Sequence, residues 1–273
     1  MKILITYFGF AYIISWIVWF PLYGQELGLK VMPIIPFQHG IGGLGPLVAS
    51  FLTTWIYYKN KGLKKLFKKC IQIKPILYLV IALLTPFLLA LIATIMNSAI
   101  NEAPINLSGL LTVKEFPNFN LLTFFIYNLI FFGFGEEVGW RGFALPRIQN
   151  KFNALTSSIL LTIFWAFWHL PLFFNGPGYT SMEFTDVFGW FFSLLTGSIL
   201  LSWLFNSSKG SILICAVFHS TINIAFTADF DEQNIVNYMG FLITVWGILT
   251  IIYFKPKNLA KIEREKKPAY NKV

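Results

Sequence analysis

The chain has 273 residues, of which 56% are hydrophobic, 18% aromatic and only 12% charged, with a formal net charge of +9. A soluble domain carries charge on about a quarter of its residues, so this composition and a mean hydropathy of +0.65 exclude one and point to a polytopic membrane protein. The two cysteines, Cys70 and Cys215, stand in different settings and exclude a disulfide framework.

Crossing a bilayer as helix takes about 17–25 apolar residues. In chain order, runs suited to this fall at roughly 3–23, 41–58, 76–97, 121–146, 153–174, 187–206, 211–228 and 238–254. The fold class expected is therefore all-α: a bundle of about eight transmembrane helices. The first run lacks small residues before a cleavage point, ending Trp19-Phe20-Pro21-Leu22-Tyr23, and reads as a retained span. In the second, Pro46 follows Gly42-Gly43-Leu44-Gly45 and predicts a kinked or delayed helix. The next segment places Leu63, Leu66, Phe67, Cys70 and Ile71 at helical spacing among lysines, as expected of a short helix lying on an anionic membrane surface.

The lysines orient the chain. Lys59, Lys61, Lys64, Lys65, Lys68, Lys69 and Lys74 follow span two; Arg147 and Lys151 follow span four; Lys209 follows span six; a basic tail follows span eight. All fall on one side if both termini are cytoplasmic, while the opposite loops carry Lys30, Lys114 and most of the acids. The positive charge thus has a membrane explanation and needs no nucleic acid. The organisation expected is one transmembrane domain, 1–254, and a basic cytoplasmic tail, 255–273, fraying into solvent.

Span four ends in Glu136-Glu137-Val138-Gly139-Trp140-Arg141. Charge within hydrocarbon costs several kcal/mol, so such groups normally face a bundle interior and mark function. Glu137 and Arg141 are four apart and share a helix face, whereas Glu136 points about 100° away from that pair. His169 lies on span five at nearly the same sequence distance from the 150–153 turn as Glu136, which places the two at similar depth. His219 and Asn223 form a second face on span seven; their depth matches if the span four–five hairpin projects into the cytoplasm. His39, in Gln38-His39-Gly40, is expected in an external loop with a surface role. There is no HExxH, no GxSxG and no aspartate within a span, so zincin, serine and aspartyl chemistry lack their signatures. Water activated by a carboxylate remains. A divalent metal such as zinc on Glu136, His169 and His219 is chemically admissible but less directly signalled.

Glu136-Glu137-xxx-Arg141, Trp165-xxx-His169 and His219-xxx-Asn223 resemble the EExxxR, FxxxH and HxxxN signatures of the CPBP family. This family comprises CAAX prenyl endopeptidases together with bacteriocin-processing and abortive-infection-type membrane proteins. Tryptophan stands where the family has phenylalanine, with Phe164 beside it, a change expected to leave the site undisturbed. The resemblance implies an intramembrane endopeptidase in which Glu136 and His169 polarise the attacking water. It implies further that Glu137 and Arg141 hold the geometry or position substrate, and that His219 and Asn223 donate to the oxyanion. The family is often labelled metalloprotease, so a metal stays open. The partners implied are a peptide or protein substrate, a prenylated C-terminus among its forms, and the lipid bilayer. A non-enzymatic immunity or scaffold protein binding a peptide is the alternative. A proton-coupled transporter is disfavoured, since no inverted repeat with paired broken helices is visible.

Overall fold

The computed structural model describes residues 2–30, 32–111, 116, 118–175, 179–230 and 233–265, and its regular elements are all helices. They are α1 (Lys2–Glu26), α2 (Gln38–Gly43), α3 (Gly45–Cys70), α4 (Ile76–Asn101), α5 (Leu121–Ile148), α6 (Ala154–Trp168), α7 (Phe184–Ser207), α8 (Ile212–Phe226) and α9 (Gln233–Asn258). Among the described residues six segments are long and apolar enough to cross a bilayer: α1, α2 with α3, α4, α5, α7 and α9. The shorter apolar helices α6 and α8, 15 residues each, fall on the fifth and seventh expected runs. The polytopic helical bundle is thus as expected, with two of its elements short. The chain is a multi-pass integral membrane protein. Lys114, Glu115, Asp231, Glu232, Lys266, Lys267 and Lys272, used in the charge count, lie outside the described residues.

Helix starts are written in the sequence. Asn120, Asn153 and Ser211 accept from the backbone N–H three residues on, at 2.9, 2.8 and 3.2 Å, satisfying first-turn donors of α5, α6 and α8. Pro46 sits in the first turn of α3, after a break at Leu44 that separates α2 from α3. At Lys59 (φ 50°, ψ −155°) α3 changes direction, so the lysine-rich segment is a helix in its own right. Gly62, Leu66 and Cys70 turn inward from it, and Phe67 stays exposed among the lysines.

The exterior is apolar, and the interior combines an apolar core with many buried polar side chains. Along α4, Leu77, Val80, Leu84, Leu88, Ile92 and Ile95 are exposed, as lipid contact requires. Buried hydroxyls knit helices together instead: Ser15 to Gly42 O (2.7 Å), Thr221 to Ala82 O (2.6 Å) and Ser198 to Ser158 O (3.2 Å). Helix α5 is the central element, packed on α3 on one side and α8 on the other. It is not a uniform α-helix, because Leu129–Phe134 and Trp140–Ala144 are π-helical around the α-helical turn Gly135–Gly139. Such wide turns cluster at functional positions.

Glycines let α5 approach so closely. A Cβ at Gly133 would lie 2.6 Å from Ala216 O and from Ser220 Oγ of α8, and one at Gly139 2.6 Å from Pro46 Cβ of α3. Gly133→Ala is therefore expected to destabilise the bundle by about 1–3 kcal/mol, the usual cost of overpacking. A thermal midpoint in detergent equal to wild type would show that α5 and α8 separate freely.

At one end of the bundle the chain departs from expectation. Residues 255–265 do not fray: α9 breaks at Lys255 (φ 64°), Leu259 is fully buried, and Glu265 pairs with Lys69 at 3.0 Å. Gln149 and Asn206 explain this. They bond each other at 2.9 and 3.1 Å, and their remaining amide groups take Glu265 O and Asn258 O, both at 2.9 Å. Buried amides require partners, and the returning tail supplies them. The same pair places the α5–α6 turn beside the α7–α8 turn.

Candidate functional site

The acid pair is carried by the short α-helical turn between the two π-helical segments of α5. Glu137 and Arg141 are fully buried and bonded, Nη1 to Oε1, at 3.0 Å. The same Oε1 accepts a hydrogen bond from His219 Nδ1 of α8 at 2.7 Å. One carboxylate oxygen thus joins two helices and receives two donors. Arg141 also lies over the Trp165 ring of α6, 4.5 Å from its centre, which adds a cation–π contact to the ion pair.

Glu136 faces elsewhere, as the helical spacing predicts. Its Oε2 accepts from the indole N–H groups of Trp165 at 2.6 Å and of Trp140 at 3.3 Å. It is 3% exposed, the depth at which a carboxylate needs such donors. His169 caps the C-terminus of α6, and its Nδ1 lies 2.8 Å from Trp165 O. A carbonyl only accepts, so Nδ1 carries a proton and donates it to Trp165 O. Trp168 and Trp190 meet the His169 ring edge-on at 4.8 and 5.5 Å, and Tyr179 stacks on it at 6.1 Å. Burial pushes the Tyr179 phenol above its ordinary range, and the nearby Glu136 adds to this.

Of the residues singled out in the sequence, Glu136, Glu137, Arg141 and His219 form one connected buried cluster. His169 joins it through Trp165, whose backbone and indole link the imidazole to Glu136. Asn223 lies one turn beyond His219 and is half-buried. His39 is placed differently from its expectation. It opens the membrane-inserted α2 with its ring beside Trp19 (6.0 Å) and Phe132 (5.5 Å), within electrostatic reach of His169. The reason is local: α2 forms one span with α3, and Trp19 donates to His39 O at 2.8 Å, drawing the segment inward.

Sequence reasoning missed Trp140 and Trp165 as donors. The signal was present, because each indole stands four residues from a polar station of its own helix, Glu136 and His169. Missed too was Tyr7 of α1, buried against Trp140 and Phe143.

A metal fits this donor set poorly. Glu137 Oε1 is occupied by Arg141 and His219, and Glu136 Oε2 by two indoles. Among the described residues no group of three His, Cys, Asp or Glu is placed to hold a metal ion.

Residues 118–225 match the model of the family described as Type II CAAX prenyl endopeptidase Rce1-like. The chain is also similar to "CAAX prenyl protease 2" of Methanococcus maripaludis, at 28% identity over 239 residues, covering 80% of this chain and 82% of that protein. Both findings bear out the resemblance that the three motifs carry.

Proposed function

We propose that the chain is an intramembrane endopeptidase of the CPBP type in which Glu136 activates water, a reading supported by its similarity to CAAX prenyl endopeptidases. One observation carries the reading: the two adjacent acids have separate tasks. Glu137 is consumed in holding Arg141 and His219, while the donors on Glu136 converge on Oε2 and leave Oε1 for water.

In this mechanism Glu136 Oε1 takes a proton from water, with His169 Nε2 accepting a hydrogen bond from the same molecule. The hydroxide adds to the peptide carbonyl carbon. His219, its ring fixed by Glu137 and carrying a proton on the far nitrogen, donates with Asn223 to the resulting oxyanion. Such donors are worth about 2.7–4 kcal/mol each. The Glu136 carboxyl then returns its proton to the departing nitrogen, the C–N bond breaks, and a new carboxyl terminus and an amine leave. Arg141 stays behind Glu137 and touches no reacting atom.

The substrate proposed is a peptide with a prenylated C-terminus, presented from the bilayer to a site opening toward the cytoplasm. The lysine-bearing segments support that orientation, and residues 1–254 act as one peptidase domain. The test is hydrolysis of a prenylated CAAX peptide by purified protein. Glu136→Ala and His169→Ala are expected to lose turnover, and wild-type rates in both would end the reading. A chelator is expected to change little: dialysis against a strong divalent-metal chelator should leave activity within about twofold, because the carboxylates already have protein donors. Loss restored by added zinc would return the metal to the mechanism.

A further inference from the structure

We propose that Trp165 is a positioning residue for Glu136, its indole N–H fixing which carboxylate oxygen meets water. The inference rests on the peptidase reading for its kinetic consequence, but the contact it concerns stands independently. Trp165 is almost fully buried, and its side chain reaches three of the polar stations. The N–H donates to Glu136 Oε2 at 2.6 Å, the ring face lies 4.5 Å from the Arg141 guanidinium, and the ring meets His219 edge-on at 5.6 Å. Its own carbonyl accepts from His169.

The physical consequence follows from where the donors lie. A glutamate side chain has three rotatable bonds, and within a dry site its carboxylate turns toward whatever donors exist. Trp140, on the same helix, reaches the same oxygen but at 3.3 Å, the weaker of the two bonds. Trp165 comes from the neighbouring helix and so ties Glu136 to the element that carries His169. A phenylalanine at 165 keeps an aromatic face for Arg141 and an edge for His219, yet has no N–H. Glu136 would then be held by the longer Trp140 bond alone, and misplacement of a catalytic group by about 1 Å costs on the order of 100-fold.

The experiment compares Trp165→Phe with site-specific replacement of Trp165 by 3-benzothienylalanine, which keeps the indole shape and substitutes sulfur for N–H. Fluorinated tryptophan, which keeps the N–H, is the rescue. Both donor-less variants are expected to lose about 10–100-fold in kcat with KM within about threefold, and fluorinated tryptophan to retain kcat. Infrared spectra provide a readout that needs no turnover. The Glu136 carboxyl band, identified by its loss in Glu136→Gln, should shift in both donor-less variants and not in the fluorinated one. An unshifted band with unchanged kcat in the benzothienyl protein overturns the proposal. If the wild type cleaves no peptide the peptidase reading falls, and the infrared comparison alone decides whether Trp165 holds Glu136.

Discussion

Glu136→Gln is expected to lower turnover of a prenylated CAAX peptide by about 10²–10⁴-fold, the usual worth of a positioned general base. The substitution is chosen because it keeps the local structure. A glutamine carbonyl still accepts from Trp165 and Trp140, and its size matches that of the glutamate it replaces. What it lacks is a lone pair basic enough to take a proton from water. Binding of the uncleaved peptide and the thermal midpoint in detergent should therefore stay near wild type. Glu137→Gln is the necessary comparison, because its carboxylate is spent on Arg141 and His219. If Glu137→Gln abolished turnover with its fold intact while Glu136→Gln did not, the roles of the adjacent acids would be the reverse of those assigned.

The second large effect is on folding. Arg141→Met should destabilise the protein by about 3–5 kcal/mol, as expected when one partner of a fully buried ion pair is removed. The residual charge is the reason. Glu137, with no exposed surface, would keep only the His219 hydrogen bond, and the cation over Trp165 would be lost with it. Replacing both partners, Glu137→Gln with Arg141→Met, should cost less than the sum of the single changes, since neither member of the ion pair is left without the other. Unfolding in detergent across this double-mutant cycle measures the coupling, which is expected to exceed about 1 kcal/mol for residues in one network. Additive single effects below that value would mean that water, and not Glu137, neutralises the arginine.

The sequence by itself determined a good deal. Hydropathy fixed the helical runs, because each must satisfy its backbone internally in lipid. The i, i+4 spacing of Glu137 and Arg141 fixed their pairing and sent Glu136 to another face. Caps at Asn120, Asn153 and Ser211 fixed three helix starts. These features are local, set by residues within a turn or by composition along one helix. Tertiary structure alone decided the rest. That Glu137 binds His219, 82 positions away, depends on α5 and α8 closing over Gly133. That a tryptophan of α6 grips Glu136, that His39 packs beside Trp19 and Phe132, and that residues 255–265 return to serve Gln149 and Asn206 all depend on which groups meet across helices. No spacing along a chain encodes such meetings, because their energy comes from satisfying donors and acceptors that only the folded interior brings together.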